Sequence, residues 1–171
     1  MILFILPSFS GGGAERVSLN LLKGLYENGH SVALIVFDQN GPLASLVPEK
    51  VPVYSLDTIS LRRSVFPLLN KIKQLRPKII FSTFGFINVA LLGMRWLLRL
   101  KIKIIIREAN LPLISLKNNS FKWTLTICYR LLYPKADKLI CSSNKMIDEF
   151  ASSFSVPGFV MELLPNPVDV D

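Results

Sequence analysis

The sequence predicts an α/β fold, an open parallel sheet with helices on both faces, on two observations. Six short apolar runs rich in Ile, Val and Phe have the composition of strands buried on both sides. Between them, apolar residues recur three or four positions apart, which is the period of an α-helix. Regular alternation of the two patterns is typical of a parallel sheet, because consecutive parallel strands are joined by crossover helices. With 171 residues, the chain is long enough for one domain with a substantial core.

The elements follow one another from the first residue. Strands are predicted at residues 1–6, 31–37, 51–56, 78–81, 102–106 and 138–141. Helices are predicted over residues 14–25, 65–75, 87–100, 121–132 and 144–152. A last apolar piece, FVMELLP, precedes a proline-bearing turn, so we expect a domain of residues 1–164 and the start of an interdomain linker at 165–171, with the second domain absent.

Neither the cysteines nor the hydropathy point to a secreted or membrane-spanning chain. Cys128 and Cys141 stand without a CxxC pair or a Cys/His cluster, so we expect no disulfide framework and no metal site, and infer a cytoplasmic protein. The longest uncharged stretch, residues 79–94, contains Ser, Thr, Gly and Asn. It falls short of the roughly 18 apolar residues that a membrane-spanning helix needs.

The first candidate site is the run Gly11, Gly12 and Gly13, between the first strand and the first helix. Glycine lets a ligand approach the main chain, and the first amides of a helix carry partial positive charge without a partner. This setting suits a phosphate. A tight strand-to-helix turn is the other interpretation, but a turn needs fewer glycines. Glu15, in the first helical turn, suits the helix dipole.

The glycine run matches neither common nucleotide motif. No GK[ST] follows it, so it is not a Walker loop. Arg16 stands where a dinucleotide fingerprint has its third glycine and is too large for close packing of the helix on the sheet. Asp38, after the second strand, is placed like the ribose-binding acid of that fingerprint, so a dinucleotide-dependent oxidoreductase remains a weak hypothesis.

A second group of polar residues ends the fifth strand, in IIIREANLP. Arg107, Glu108 and Asn110 are expected at the carboxyl edge of the sheet, where this architecture binds ligands, and all three can hydrogen-bond a sugar or a phosphate. A surface Arg107–Glu108 ion pair, or a helix cap by Asn110, is an equally good interpretation. Ser143 follows the sixth strand, where capping of the next helix is favoured over a contact to ligand.

The net charge of +8 is confined to one segment. Residues 91–135 contain nine basic residues and one acidic residue, whereas the two kinds balance elsewhere. Aromatic residues interleave with the charges, as in a helix at a lipid interface, and no nucleic-acid motif is present. We expect an anionic membrane surface as partner and no nucleic acid, with solvated charges beside a core-facing helix as the alternative. The membrane contacts are assigned to Arg95, Trp96, Arg99, Lys101 and Lys103.

Taken together, these motifs resemble the amino-terminal domain of a retaining glycosyltransferase of the GT-B architecture, from glycosyltransferase family 4. The opening GGGAERVSLNLLKGLYENGHSVALIVF looks like the glycine loop, helix and second strand of that family. ADKLICSS looks like its sixth strand, and LPNPVD like its entry into the interdomain linker. The resemblance spans essentially the whole chain and implies a Rossmann-like sheet, one half of a GT-B fold.

The resemblance implies transfer of a sugar from a nucleotide-sugar donor to a lipid-linked or cell-surface glycan, such as a polyprenyl-diphosphate-linked acceptor, at the inner face of a membrane. This domain would supply the acceptor surface, with Gly12 and Gly13 meeting the donor diphosphate or the acceptor and Glu15 beside them. A carboxy-terminal domain would hold most of the donor, so the 171 residues are expected to be inactive alone. No cofactor or metal is implied, and no catalytic residue is assigned.

The sequence departs from the family pattern in two places. REAN stands where many relatives have a histidine that contacts the transferred sugar, and Pro167 replaces a glycine of the linker motif. The first departure leaves the roles of Arg107, Glu108 and Asn110 open. A stand-alone Rossmann-like module that binds a nucleotide or another anion is the main alternative to the enzyme.

Overall fold

The computed structural model describes residues 1–58, 61–117 and 121–165, without the side chains of residues 61 and 62. Within them, seven strands form one sheet in which every neighbouring pair is parallel. The strands are β1 (Ile2–Leu6), β2 (Val32–Val36), β3 (Val53–Ser55), β4 (Ile79–Ser82), β5 (Lys103–Arg107), β6 (Lys138–Cys141) and β7 (Met161–Leu163). Their spatial order is β3-β2-β1-β4-β5-β6-β7.

Helices cover both faces of this sheet because its strands bury side chains on both sides. Alternate residues of β1 belong to two separate apolar cores, one under α1 and one under the remaining long helices. None of the described helices combines the length and hydropathy that crossing a bilayer requires. The helices are α1 (Gly13–Glu27), α2 (Leu61–Leu75), α3 (Gly85–Leu98), α4 (Pro112–Lys117), α5 (Lys122–Leu132) and α6 (Asn144–Phe154).

The predicted fold class, its six strands and its five helices are confirmed, with ends that differ by a few residues. Two elements were not predicted. β7 is three residues long, pairs only with β6 and has a mostly exposed pattern, so it lacks the apolar run of a central strand. α4 has only six residues, the first of which is a proline, and these are too few to show a helical period. The predicted linker at 165–171 lies outside the described residues from position 166 onward.

The strand order reverses at β1, and this reversal decides where a ligand can enter. The chain builds β1, β2 and β3 outward in one direction and then β4 to β7 outward in the other. The loops that leave the carboxyl ends of β1 and β4 therefore diverge and open a crevice between them. The glycine run leaves β1 at that point.

The loop after β2 contacts the main chain at Phe9, just before the glycine loop. Gly41 has a φ of +141°, and a Cβ atom added to it would overlap the carbonyl group of Phe9. The Leu43 amide donates a hydrogen bond to that same carbonyl at 3.2 Å. Gly41 thus permits a main-chain contact that no side-chain-bearing residue allows.

We expect Gly41→Ala to lower the free energy of unfolding by about 2–4 kcal/mol, because it adds both backbone strain and overlap with Phe9. Urea denaturation followed by circular dichroism measures the change. The matched control is Gly24→Ala in α1, where nothing lies within 4 Å of the added atom. This control should gain about 0.5–1 kcal/mol, as alanine does in a helix. Equal losses in both variants would contradict the proposed contact.

Candidate functional site at the carboxyl edge of the sheet

A cavity of about 240 Å³ opens at the carboxyl edge of the sheet, beside the reversal point. We call it the carboxyl-edge cavity. A hydrogen bond of 2.7 Å between the hydroxyls of Ser18 and Thr83 ties α1 to the loop after β4 at this place. The cavity therefore lies between elements that are held together. Its walls include Ala14, Thr83, Gly85, Glu108, Asn110 and Tyr129.

A buried carboxyl group forms one wall of the cavity. Glu108 is 4% exposed. Its Oε1 atom accepts a hydrogen bond from Nδ2 of Asn88 at 2.9 Å and another from the hydroxyl of Tyr133. The same Asn88 amide donates to the Arg107 carbonyl at 3.0 Å. Asn88 thus fixes both the side chain of Glu108 and the backbone just before it.

Burial raises the pKa of Glu108 to about 7, because the charged form loses its water. The hydrogen bonds from Tyr133 and Asn88, and the positive charge of Arg107, act in the opposite direction. At neutral pH the group can therefore serve as a hydrogen-bond donor or as an acceptor. Either form can bind a sugar hydroxyl in the cavity.

Two stacked tyrosines support this carboxyl group. The rings of Tyr129 and Tyr133 stack with centroids 4.2 Å apart, and Tyr133 is fully buried. A Cβ atom on Gly85 would overlap the Tyr129 hydroxyl. The absence of a side chain at the start of α3 thus gives Tyr129 its place in the cavity wall.

The three glycines of the loop are exposed and lead into the cavity through Ala14, their neighbour in the chain. Gly12 is the N-cap of α1 and has no side chain, so no capping side chain covers the first helical amides. Glu15 is buried and folds back so closely that a Cβ on Gly12 would overlap its carboxylate. Its Oε1 atom accepts a hydrogen bond from Ser10 at 3.4 Å. Glu15 thus contacts the glycine loop, in addition to its favourable position in the helix dipole.

Arg107 and Glu108 leave the strand end on opposite faces. Arg107 is also 4% exposed, and it lines a separate cavity of about 390 Å³ on the α1 face. Burial lowers its pKa, and the neighbouring Glu108 charge raises it. The interpretation of the two residues as an exposed ion pair is wrong, because both are buried. Asn110 shares the carboxyl-edge cavity with Glu108, whereas Arg107 does not.

Ser143 lies at the carboxyl end of β6 and caps α6. Its hydroxyl accepts a hydrogen bond from the Met146 amide at 3.3 Å, which confirms the capping role that the sequence favours. This role satisfies one of the unpaired amides at the helix start. Ser143 does not line the carboxyl-edge cavity.

The residues assigned to a membrane surface lie at the opposite, amino edge of the sheet. Arg95 donates hydrogen bonds to the carboxylate of Asp137 and the carbonyl of Lys135, so its charge is paired. The Lys135 ammonium lies over the exposed ring of Trp96, 4.3 Å from its centroid. Around them is a cavity of about 610 Å³ that Lys101 and Lys103 also line, while Arg99 ends α3 on the exposed surface.

The sequence did not predict Asn88, Tyr129 or Tyr133 as site residues. A signal existed for Asn88, because its amide stands in the uncharged and largely apolar stretch 79–94. The two tyrosines resemble core residues in the sequence, and only the packing of α5 against α3 brings them to Glu108. Among the described residues, no three His, Cys, Asp or Glu side chains are grouped as metal ligands would be.

Comparison with known proteins points in one direction. The model of Glycosyltransferase Family 4 matches residues 11–171. An uncharacterized glycosyltransferase from Haemophilus influenzae is 30% identical over 91 residues, which are 52% of this chain and 26% of that protein. Anabaena HepE, solved in complex with UDP and glucose, superposes with a TM-score of 0.74 at 18% identity, over 98% of this chain and 45% of HepE.

The lipopolysaccharide outer core galactosyltransferase WaaB is similar in fold, with a TM-score of 0.70 at 16% identity over 99% of this chain and 46% of WaaB. The chain thus spans a quarter of the curated relative and less than half of each of these two solved structures. These matches confirm the resemblance to the amino-terminal domain of a GT-B glycosyltransferase.

The raised pKa of Glu108 makes stability depend on pH. In the unfolded chain this group has its ordinary pKa, 4.5, whereas in the folded chain the pKa is about 7, so the folded chain binds more protons between these values. The free energy of unfolding should therefore fall as pH rises from about 5 to 8, by up to about 3 kcal/mol. Glu108→Gln stays neutral at every pH, so its free energy of unfolding should lack this part of the pH dependence.

Urea denaturation at pH 5, 6, 7 and 8, compared between the wild type and Glu108→Gln, tests this prediction. The matched control is Glu27→Gln on the exposed end of α1, whose carboxylate lies 3.9 Å from the Lys23 ammonium. It should keep the wild-type slope. A Glu108→Gln variant with the same slope would show that Glu108 is ionised throughout this range.

Proposed function

Because the chain belongs to glycosyltransferase family 4, we propose that it is the acceptor-side domain of a retaining enzyme that transfers a sugar from a nucleotide-sugar donor to a lipid-linked or cell-surface glycan. One observation carries the proposal. The glycine loop and the carboxyl-edge cavity meet at the reversal point of a sheet that has the family's fold. Ligands of open α/β sheets bind at this point.

The glycine loop is proposed to meet the diphosphate of the donor or the acceptor. Gly11, Gly12 and Gly13 are exposed, and the amides that follow belong to the first turn of α1. When the sugar leaves the donor, negative charge develops on the diphosphate, and fixed amide dipoles stabilise it. HepE, with its bound UDP and glucose, supports a nucleotide sugar as the donor class.

Glu108 and Asn110 are proposed to bind hydroxyl groups of the sugar or the acceptor. Both line the cavity next to the glycine loop, and Asn88 and Tyr133 hold the Glu108 carboxyl group in a fixed orientation. Arg107 acts from the other face, toward the start of the predicted linker, since its cavity is also lined by Leu164 and Pro165. Ser143 contributes through the position of α6.

The amides and basic residues at hand can offset the charge of a diphosphate, so we assign the reaction no metal and no cofactor. The proposed place of work is the cytoplasmic face of a membrane. Its support is the confinement of the whole net charge of +8 to residues 91–135, which suits anionic headgroups or a polyprenyl diphosphate. A carboxy-terminal domain is proposed as the partner that holds most of the donor.

Transfer is tested on the protein isolated from its source cells with an antibody against this domain. The precipitate, incubated with labelled nucleotide sugars and a lipid extract, should give a labelled lipid product, with EDTA present or absent. The mass of the precipitated protein should lie well above the 19.2 kDa of this chain, because a second domain is proposed. The 171 residues alone should give no product.

Each result has a distinct meaning. Transfer by the 171 residues alone would remove the need for a carboxy-terminal domain. A native protein that transfers label from none of the nucleotide sugars would contradict the proposed enzyme. Loss of activity in EDTA would contradict the metal-free reaction.

Gly13→Val should weaken binding of UDP about tenfold, because the side chain covers the first amides of α1. Nothing lies within 4 Å of a Cβ atom at Gly13, so the fold should be kept. Titration of the ¹⁵N-labelled chain with UDP, followed by NMR, measures the affinity and shows which amides shift. Gly158→Val, at another position with open space around it, is the control and should bind like the wild type. Shifts confined to other loops would contradict the role of the glycine loop.

A further inference from the structure

Helix α5 carries an apolar stripe on its exposed side. Trp123, Ile127 and Leu131 follow one another at four-residue spacing and are 77%, 57% and 61% exposed. The buried side of the same helix carries Tyr129 and Leu132, which already fill the core. The stripe therefore lies outside the apolar core of the described residues. Large apolar side chains grouped in this way mark a surface that contacts another apolar phase.

The neighbouring helix α4 extends this surface. Leu113 and Ile114 are 47% and 57% exposed, and α4 packs against α5. Between the two helices lies a groove of about 250 Å³. We call the stripe, these two residues and the groove the α4–α5 surface. The groove is lined by Leu113, Leu116, Lys117, Lys122, Trp123 and Thr126.

The exposed charges that line the groove are basic, Lys117 and Lys122. Glu149 of α6 lies at the α4 end of the surface, where its carboxylate accepts a hydrogen bond from the Leu113 amide at 3.3 Å. An apolar stripe with a basic border is the pattern of a helix that lies in the interface of an anionic bilayer. A second copy of the chain fits less well, because it would bring the same cations together.

The groove is close to the proposed active site. Leu116 lines both the groove and the carboxyl-edge cavity, so the two spaces adjoin at this side chain. Ser115 and Leu125, from the same two helices, also belong to the wall of the carboxyl-edge cavity. Whatever covers the α4–α5 surface therefore lies next to the opening that holds Glu108 and Asn110.

We propose that the α4–α5 surface inserts into an anionic bilayer leaflet, with Trp123, Ile127 and Leu131 among the acyl chains and the groove open to an alkyl chain of the acceptor. Only one part of this inference rests on the proposed function: the acceptor that enters the groove is then a lipid. It places membrane contact on α4 and α5, beside the carboxyl edge. The basic residues around Arg95, at the amino edge, then contribute long-range attraction.

Tryptophan fluorescence tests the insertion. Trp96 and Trp123 are the two tryptophans of the chain, so Trp96→Phe leaves one reporter on the stripe. With vesicles of phosphatidylglycerol and phosphatidylcholine, its emission should shift to the blue and be quenched by lipids brominated in their acyl chains. Vesicles of phosphatidylcholine alone should bind more weakly. Co-sedimentation without a blue shift or quenching would overturn the proposal.

A stripe variant gives the second measurement. Trp123→Gln, Ile127→Gln and Leu131→Gln combined should lower partitioning into the anionic vesicles at least about tenfold, because three inserted side chains are lost. The matched control is Phe66→Gln with Phe159→Gln, which replaces side chains that are 75% and 80% exposed elsewhere. It should bind like the wild type. Circular dichroism confirms that both variants keep the fold.

Two further outcomes are decisive. Equal loss of binding in the stripe variant and its control would overturn the proposal. So would a concentration-dependent dimer, seen by sedimentation equilibrium, that only the stripe variant abolishes. The vesicle experiments contain no donor, so they are independent of transfer. Insertion without glycosyl transfer would contradict the proposed function but not the membrane insertion of the α4–α5 surface. Transfer without insertion would overturn only the proposed insertion.

Discussion

The parallel arrangement of the seven strands in the described residues is the constraint on which the rest of this domain depends. Each strand ends at the same edge, so the loops that follow β1, β4, β5 and β6 are brought together although they are far apart in the chain. The reversal of strand order at β1 then separates two of these loops enough to leave a crevice. Ala14, which follows the glycine loop, lines the cavity there with Gly85 and Glu108, and the opposite edge holds the paired charges of Arg95 and Asp137.

Burial of a carboxyl group at this crevice costs stability, and the surrounding structure only partly offsets the cost. Asn88 and Tyr133 donate to Glu108, but Oδ1 of Asn88 and the hydroxyl of Ser82 are buried without a hydrogen-bond partner in the part of the chain that the structure describes. Each such atom costs about 1–3 kcal/mol. A core built for stability alone would place apolar side chains here. A polar cluster that costs stability in this way is typical of binding sites.

The charge distribution separates attraction from recognition. Lys101 and Lys103 at the amino edge and Lys117 and Lys122 at the α4–α5 surface are exposed, so they act at a distance and are screened by salt. Glu108 and Arg107 are buried, so their charges act on close neighbours in a medium of low dielectric. A domain of this kind can approach an anionic surface through one set of charges and orient a ligand through the other.

The sequence by itself determined the strands, the long helices and the edge at which we propose that ligands bind, because apolar periodicity reports burial on one face or two. It also predicted Glu108 and Asn110 at that edge. The tertiary structure alone decided that Arg107 points to the other face, that Tyr129 and Tyr133 support Glu108, and that Trp123 is exposed while Tyr129 is buried. β7 and α4 were not predicted because they are too short to show a periodic pattern of apolar residues. Local patterns record which side chains avoid water, whereas the partners of a buried polar group come from distant segments, which only packing brings together.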